Sequence, residues 1–246
     1  MSKNSLALQY HANSWWTEPR DYSVNIGTSY KVYPTASCYT LDRGMLAQNG
    51  QITDSFLHVV MQRRSTRAFT RDNINLATLS QLLGMAIGIK RYDQEFANRT
   101  YPSAGSLYPV EVYVAILRSD DLDKGIYHYN VRDHSLERIK NCDHAQRVVI
   151  FYKNQPLLTD YPCHVFFSLV FDRTMAKYGE RGYRYALLDA GHMGQNIYLT
   201  ATYLGLGVVG FGAADVPDNH IDEQLGLNSS DESIVYSFAI GYAEMS

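Results

Sequence analysis

The stretch AKYGERGYRYALLDAGHMGQN, residues 176–196, sets Lys177 beside Tyr178 and follows them closely with Arg181, Tyr183, Arg184 and Tyr185. A lysine and a tyrosine that share a pocket can handle a proton together. A nearby ammonium favours the phenolate, and burial or a second cation lowers the lysine's own pKa. An untuned ammonium, with a pKa near about 10.4, is a poor base at neutral pH. Arg181 and Arg184 are the cations placed in sequence to tune it. The bland alternative is an exposed lysine in a connecting loop.

Three further stretches carry chemical potential. RRSTR, with Arg63, Arg64, Ser65 and Arg67, presents guanidinium forks and hydroxyls within five residues, a grip suited to one phosphate group. A charged, solvated helix end is its plain counterpart. YPSAGSLYP, spanning Tyr101 to Pro109, combines prolines with small residues, so a flat ligand could lie against its backbone; alone it is a loop before a strand. GLGVVG, Gly205 to Gly210, matches the dinucleotide fingerprint G-x-G-x-x-G letter for letter. That fingerprint needs a strand before it and a helix after it, and here the order is reversed. The glycines read instead as a helix cap and tight turn, or as bare backbone amides facing a ligand.

Composition removes several classes. A net charge of −3 with 19% charged residues leaves no basic stripe for a phosphate backbone, so no nucleic-acid partner is expected. No apolar run approaches the roughly 20 residues of a membrane span, and MSKNSLALQYHANSWW lacks the apolar core of a signal peptide. A cytoplasmic protein that does not use a membrane is the expectation. Cys38, Cys142 and Cys163 are far apart, and the eight histidines form no metal-ligand spacing, so neither a disulfide framework nor a metal site is expected. The surplus of 20 tyrosines over 9 phenylalanines suits half-wet pockets and interfaces, where a ring packs and a hydroxyl bonds.

The elements that must position these residues follow from periodicity. Residues 1–53 are aromatic and punctuated, without sustained helical period, and read as an N-terminal arm of short strands and turns. Residues 54–246 read as one domain. Asp54 can cap a helix carrying Leu57, Val60 and Met61, and NLATLSQLLGMAIGI follows with Leu79, Leu82, Leu83 and Ala86 on one face. EVYVAIL and HVFFSLVF read as inner strands, GIYHYN and SLERI as a hairpin through VRDH, and SIVYSFAIGY as the last strand. A long helix is expected from about Tyr185 to Leu204, with Leu187, Ala190, Gly191, Gly194, Ile197, Tyr198 and Ala201 inward and Asp189, His192, Gln195 and Asn196 as a polar stripe. Gly191 and Gly194 each cost about 1 kcal/mol in a helix interior, so close approach by another helix is expected there. PDNHIDEQLGL reads as a short capped helix. Strands and long helices without strict alternation predict α+β.

In this order, RRSTR, PSAGSLYP, IYHY, AKYGERGYRYALLDAGHMGQN and LGLGVVGFG resemble the nitroreductase-like flavoproteins. More closely, they resemble the azoline dehydrogenases that work beside cyclodehydratases on thiazole- and oxazole-containing peptides. The likeness runs from about Asp54 to Tyr242, and YHANS with YKVYP is similar to the segment preceding that domain in these oxidases. The Lys-Tyr pair followed by RGYR is its most specific part.

The resemblance implies a central mixed, mostly antiparallel sheet flanked by helices, in a homodimer with FMN at each subunit interface. Arg63, Arg64, Ser65 and Arg67 would hold the phosphate, ribityl chain and ring edge. Pro102, Ser103, Ala104, Gly105, Ser106 and Leu107 would come from the partner chain, and the backbone of Val209, Gly210 and Phe211 would lie near the flavin N5. Two departures stand out: simple nitroreductases carry an asparagine where this loop has Ser106, and the sequence stops four residues beyond Tyr242, which predicts no long C-terminal arm.

The implied reaction removes two hydrogens from an azoline ring of a peptide. A base takes the Cα proton, the neighbouring carbon gives a hydride to FMN, and O2 reoxidises the flavin. Lys177 and Tyr178 are the catalytic pair that the resemblance implies. The alternatives are an NAD(P)H-dependent nitro, quinone or ene reductase, and a flavin-binding scaffold that docks a peptide-modifying synthetase.

Overall fold

The computed structural model describes residues 5–14, 55–93, 96–150, 152, 158–212, 214 and 216–244. Its centre is a six-stranded sheet of β3 (Val110–Ile116), β4 (Gly125–Asn130), β5 (Ser135–Lys140), β6 (Cys163–Val170), β7 (Leu206–Phe211) and β8 (Glu232–Tyr242), ordered β5-β4-β3-β6-β8-β7. Each neighbouring pair is antiparallel. β1 (Ile89–Asp93) and β2 (Phe96–Arg99) form a separate hairpin.

Two hydrophobic layers cover the sheet. Val110, Val112, Val114, Val165, Phe167 and Phe238 face α3 (Leu76–Ile87) and α6 (Arg181–Tyr203). Ala115, Ile126, Phe166, Val209 and Ala239 face α4 (Cys142–Ile150) and α7 (Asp218–Leu225). Burial on both faces explains why EVYVAIL and HVFFSLVF are apolar almost throughout rather than alternating. β5 lies at an edge and is largely exposed, so it tolerates Glu137, Arg138 and Lys140.

The helices form where the sequence supplies caps and inward faces. Asn75 accepts the Thr78 amide at 2.8 Å and starts α3, whose Leu79, Leu82, Leu83 and Ala86 are all buried as expected. α6 stops where Gly205 takes φ 73°, a conformation glycine adopts without Cβ strain. β7 follows at once, so the glycine-rich run sits after a helix and within a strand, the reverse of a dinucleotide fingerprint. α2 (Ser55–Gln62) is present, while its expected cap Asp54 and residues 1–4 and 15–53 of the arm lie outside the described residues.

Four expectations need correction. Residues 6–13 form a helix, α1 (Leu6–Asn13), where short strands and turns were expected; its Ser5 cap accepts the Leu8 amide, and Ala7 and His11 give it a buried side. Lys177 and Tyr178 end a helix, α5 (Phe171–Tyr178), rather than lying in a loop. α6 begins at Arg181, four residues before the predicted start, because Gly182 packs on the backbone of Thr174 and Met175 and turns the corner directly. Its buried face also differs in part: Ala190, Gly194, Ile197, Tyr198 and Ala201 are inward as expected and Tyr183, Ala186 and Met193 join them, whereas Leu187 and Gly191 are exposed. No helix visits Gly194. A Cβ there would lie 2.7 Å from the Tyr236 ring and 3.0 Å from Phe238, so the sheet itself is what the missing side chain admits. Gly191 has nothing within 4 Å.

Two outcomes follow from this packing. Gly194→Val should wedge α6 off β8 and cost about 2 kcal/mol, lowering the thermal midpoint by roughly 4–8 °C; an unchanged midpoint would show that Tyr236 is not a close-packed neighbour. The second concerns α1, whose His11 is buried between Tyr183 and Ser233, with Asp222 beyond. Burial lowers the His11 pKa to about 4 from the usual 6.5. The undocked imidazole binds its proton first as pH falls, so the stability of docking is full above about 6.5 and is lost progressively towards 4. Hydrogen exchange of residues 6–13 should therefore gain speed over that range in the wild type relative to His11→Gln. Parallel pH profiles in the two proteins would rule this out.

Candidate active site

The α5–α6 corner presents Lys177 and Tyr178 at the last turn of α5, with Gly179 at φ 57° making the break. Both side chains turn towards the loop that precedes β3. A Cβ placed on Gly105 would lie 2.6 Å from the Tyr178 hydroxyl and 3.0 Å from Lys177 Nζ. The two proton-handling groups thus converge over the one residue of the loop without a side chain. Gly105 also holds φ 63°, which a Cβ would strain. Tyr178 is braced by Tyr185, edge-to-face with centroids 5.2 Å apart.

Arg181 and Arg184, the expected tuning cations, are exposed on α6, and Lys177 is exposed as well. The fold of one chain does not itself enclose the pair. That part of the expectation is corrected, because the corner sits at the surface of α6 and not beneath it.

The loop is held by α6. Ser103 Oγ donates to Asp189 at 2.5 Å and accepts the Tyr108 amide at 2.9 Å. Burial raises the pKa of Asp189, opposed by the bonds from Ser103 and the Ala104 amide. Ser106 and Tyr108 both adopt positive φ, at 55° and 46°. Asparagine tolerates that region better than serine, which is the physical content of the Ser106 departure. Pro102 and Ser106 are exposed, Ala104 and Leu107 half-buried. Arg173 of α5 pairs with Glu111 and donates to the Tyr108 carbonyl at 3.2 Å, so α5 and the loop move as one unit.

The arginine cluster lies elsewhere. Arg63 to Arg67 run extended after α2 and add onto β7, the Thr66 amide donating to Val208 O at 2.9 Å. Tyr198 of α6 joins the parts: its hydroxyl accepts the Gly210 amide at 2.7 Å and lies 3.3 Å from Ser65 Oγ, and the Arg63 guanidinium sits 5.4 Å from its ring centre. No carboxylate among the described residues pairs with Arg63, Arg64 or Arg67. Three uncompensated guanidiniums beside a strand edge suit an anionic group such as a phosphate. Val209 and Phe211 bury their side chains in the opposite layer, and their backbone pairs with Ala239 and Ser237 of β8. Gly210 is required within the fold, since a Cβ there would meet the Tyr236 ring at 2.8–3.1 Å.

The predicted residues therefore form two groups in one chain. The Arg63–Arg67 cluster gathers with Gly210 near Tyr198; Pro102 to Leu107 gather with Lys177 and Tyr178 near Asp189. Nine residues of α6 separate Asp189 from Tyr198, about 14 Å of helix rise. Tyr198, Asp189 and Arg173 were not among the predicted site residues. Tyr198 was visible only as one of the inward positions of the long helix, and Asp189 merely as part of a polar stripe.

Among the described residues no group of histidine, cysteine and carboxylate side chains is placed to hold a metal ion, and no helix is long and apolar enough to cross a membrane.

Comparison with known proteins identifies the family and the fold. The nitroreductase family model matches residues 60–242. MJ1384 of Methanocaldococcus jannaschii, which carries a provisional nitroreductase name, is 35% identical over 169 residues, covering 69% of this chain and 83% of that protein. The microcin B17-processing protein McbC of Escherichia coli is 30% identical over 142 residues, 55% of this chain and 51% of McbC, so the alignment spans about half of that relative. A chain of the E. coli microcin synthetase McbBCD complex, solved with truncated pro-MccB17 bound, shares the fold with a TM-score of 0.78 at 20% identity, covering 97% of this chain and 94% of that one. With a family model spanning most of its length and the α+β architecture in agreement, the chain belongs to the nitroreductase family.

Proposed function

We propose that the protein is an FMN-dependent azoline dehydrogenase that oxidises azoline rings of a modified peptide to thiazoles or oxazoles. The observation that carries the reading is the convergence of Lys177 Nζ and Tyr178 Oη over bare Gly105. A nitroreductase-family chain with a proton-handling pair beside a ligand-facing loop is suited to substrate oxidation that begins with proton removal. The similarity to a relative named for processing microcin B17 supports a peptide as substrate. Work beside a cyclodehydratase, in the cytoplasm, completes the reading.

The residues present fit FMN. Arg63, Arg64 and Arg67 supply uncompensated positive charge for its phosphate, with Ser65 beside them, and the Val209–Phe211 backbone and the Pro102–Leu107 loop offer flat surfaces for its ring. One chain holds these surfaces about 14 Å apart along α6, so the site is completed in a homodimer, the loop of one chain meeting the arginines of the other. Exposed apolar groups on α2 (Phe56, Val60, Met61) and α6 (Leu187, Leu188), with open Gly191 between turns, give that pairing a surface.

When bound, FMN supplies the two-electron acceptor for the hydride leaving the azoline ring, with O2 as the final oxidant. Lys177 and Tyr178 handle the Cα proton: one receives it at Nζ or Oη, and the other holds the receiving group through hydrogen bonding. Asp189 fixes Ser103, and through it the loop against which both atoms rest. A second reading, an NAD(P)H-dependent reductase, draws on the higher identity to MJ1384; rapid bleaching of the flavin by NAD(P)H without peptide would select it. A non-catalytic flavin scaffold would keep the cofactor yet never bleach with an azoline peptide.

Lys177→Ala and Tyr178→Phe should keep FMN and lose roughly 100-fold or more in the rate of single-turnover bleaching by an azoline peptide, the usual scale for a positioned general base. Arg64→Ala should instead lose FMN. Variants loaded to equal flavin content that bleach as fast as wild type would remove the catalytic pair from the account.

A further inference from the structure

The N-terminal helix is bonded to the two ends of the element that carries the Lys-Tyr pair. Glu180 occupies the N-cap position of α6 but makes no cap bond to that helix. Its carboxylate instead accepts the Ala7 amide at 2.6 Å and the Ser5 hydroxyl at 2.9 Å, capping α1. One turn further on, His11 Nδ1 lies 2.8 Å from the Tyr183 hydroxyl and Nε2 lies 3.0 Å from Ser233 Oγ. Ser233 gives its single proton to Asp222 at 2.6 Å, so it accepts from His11 Nε2–H, and Nδ1 accepts from Tyr183. The ring also meets Phe171 edge-to-face, with centroids 5.4 Å apart.

These contacts are placed to control the catalytic corner. Phe171 is the first residue of α5 and Tyr183 lies in the first turn of α6, so His11 touches both helices on either side of Lys177 and Tyr178. Glu180 is two residues beyond Tyr178. The corner transmits displacement because Gly182 packs against backbone: a Cβ there would be 2.7 Å from Thr174 O and 2.8 Å from Met175 Cα. Rotation of the first turn of α6 therefore moves the last turn of α5. His11, within the YHANS segment, is buried at this junction.

We propose that α1 is a built-in brace of the active site, with Glu180 and His11 as positioning residues that hold the α5–α6 corner so that Lys177 Nζ and Tyr178 Oη stay over Gly105. The inference rests on the role given above to that pair. It predicts that the docking of α1 is required for turnover, while Glu180→Ala and His11→Ala leave cofactor binding unchanged.

The test uses the full-length, FMN-loaded protein with Glu180→Ala, Glu180→Gln and His11→Ala, each checked for wild-type flavin content. Hydrogen exchange is followed over residues 175–183, and single-turnover bleaching is measured against azoline peptide concentration. Glu180→Ala and His11→Ala should speed exchange at the corner roughly ten-fold. They should lower the limiting bleaching rate by about as much, with the half-saturating peptide concentration nearly unchanged. Glu180→Gln, whose amide oxygen accepts the same two bonds, should retain both properties. Corner exchange equal to wild type in both alanine variants, or faster exchange with an unchanged limiting rate, overturns the brace. A wild-type protein that never bleaches overturns the azoline reading instead, and the exchange comparison then decides alone whether α1 holds the corner.

Discussion

The close contact of α6 with β8 at Gly194 sets the geometry on which the candidate site depends. Because the helix rests on Tyr236 and Phe238 with no side chain between, its rotation about its own axis is fixed. That rotation turns Tyr198 towards Gly210 and Ser65 at one end and Asp189 towards Ser103 at the other. A helix is stiff over this length, so the anion-suited cluster and the proton-handling corner are held apart by the same element that orders them. The proposed closure of the site across two chains rests on this rigid spacer, which carries one group of candidate residues at each end.

The loop before β3 shows how local strain is sustained. Positive φ at Gly105, Ser106 and Tyr108 is unfavourable for the two residues that bear side chains. The surroundings over-determine it: Asp189 holds Ser103, Ser103 holds the Tyr108 amide, and Arg173 holds the Tyr108 carbonyl while pairing with Glu111. Glu111 in turn accepts from His128, whose pKa is raised to about 9 by its bonds to Glu111 and Glu137. The chain of contacts runs from the sheet edge to α5, so the position of Lys177 is set by the sheet as well as by α6.

Much of this was legible in the sequence. The continuous apolar runs marked β3 and β6, the hairpin spacing marked β4 and β5, and Asn75 with four inward positions marked α3. The reversed order of helix and glycines removed the dinucleotide reading of Gly205–Gly210. What could not be read was contact between distant segments. α5 was missed although Phe171, Thr174, Met175 and Tyr178 fall at helical spacing, because the segment is only two turns long and is held by the Arg173 pairing and by Gly182 packing, and α1 because its docking depends on His11 meeting Tyr183, 172 residues away. Gly191 and Gly194 look alike in sequence, yet Gly194 faces the sheet and Gly191 open space; only the rotation of the helix separates them. The division of the site residues into two groups was likewise invisible to spacing, which says nothing of which end of a helix a loop will meet.

Mixing two inactive proteins tests the central claim most directly. Arg64→Ala and Lys177→Ala subunits, each dead alone, are dissociated, combined in equal amounts and reassembled with FMN. If each site draws its arginines from one chain and its Lys-Tyr pair from the other, half of the dimers are mixed and each regains one intact site, restoring about a quarter of wild-type azoline oxidation. Reassembled mixtures that remain as inactive as either parent, while wild-type protein survives the same treatment, would place both groups in one site of one chain and contradict the account.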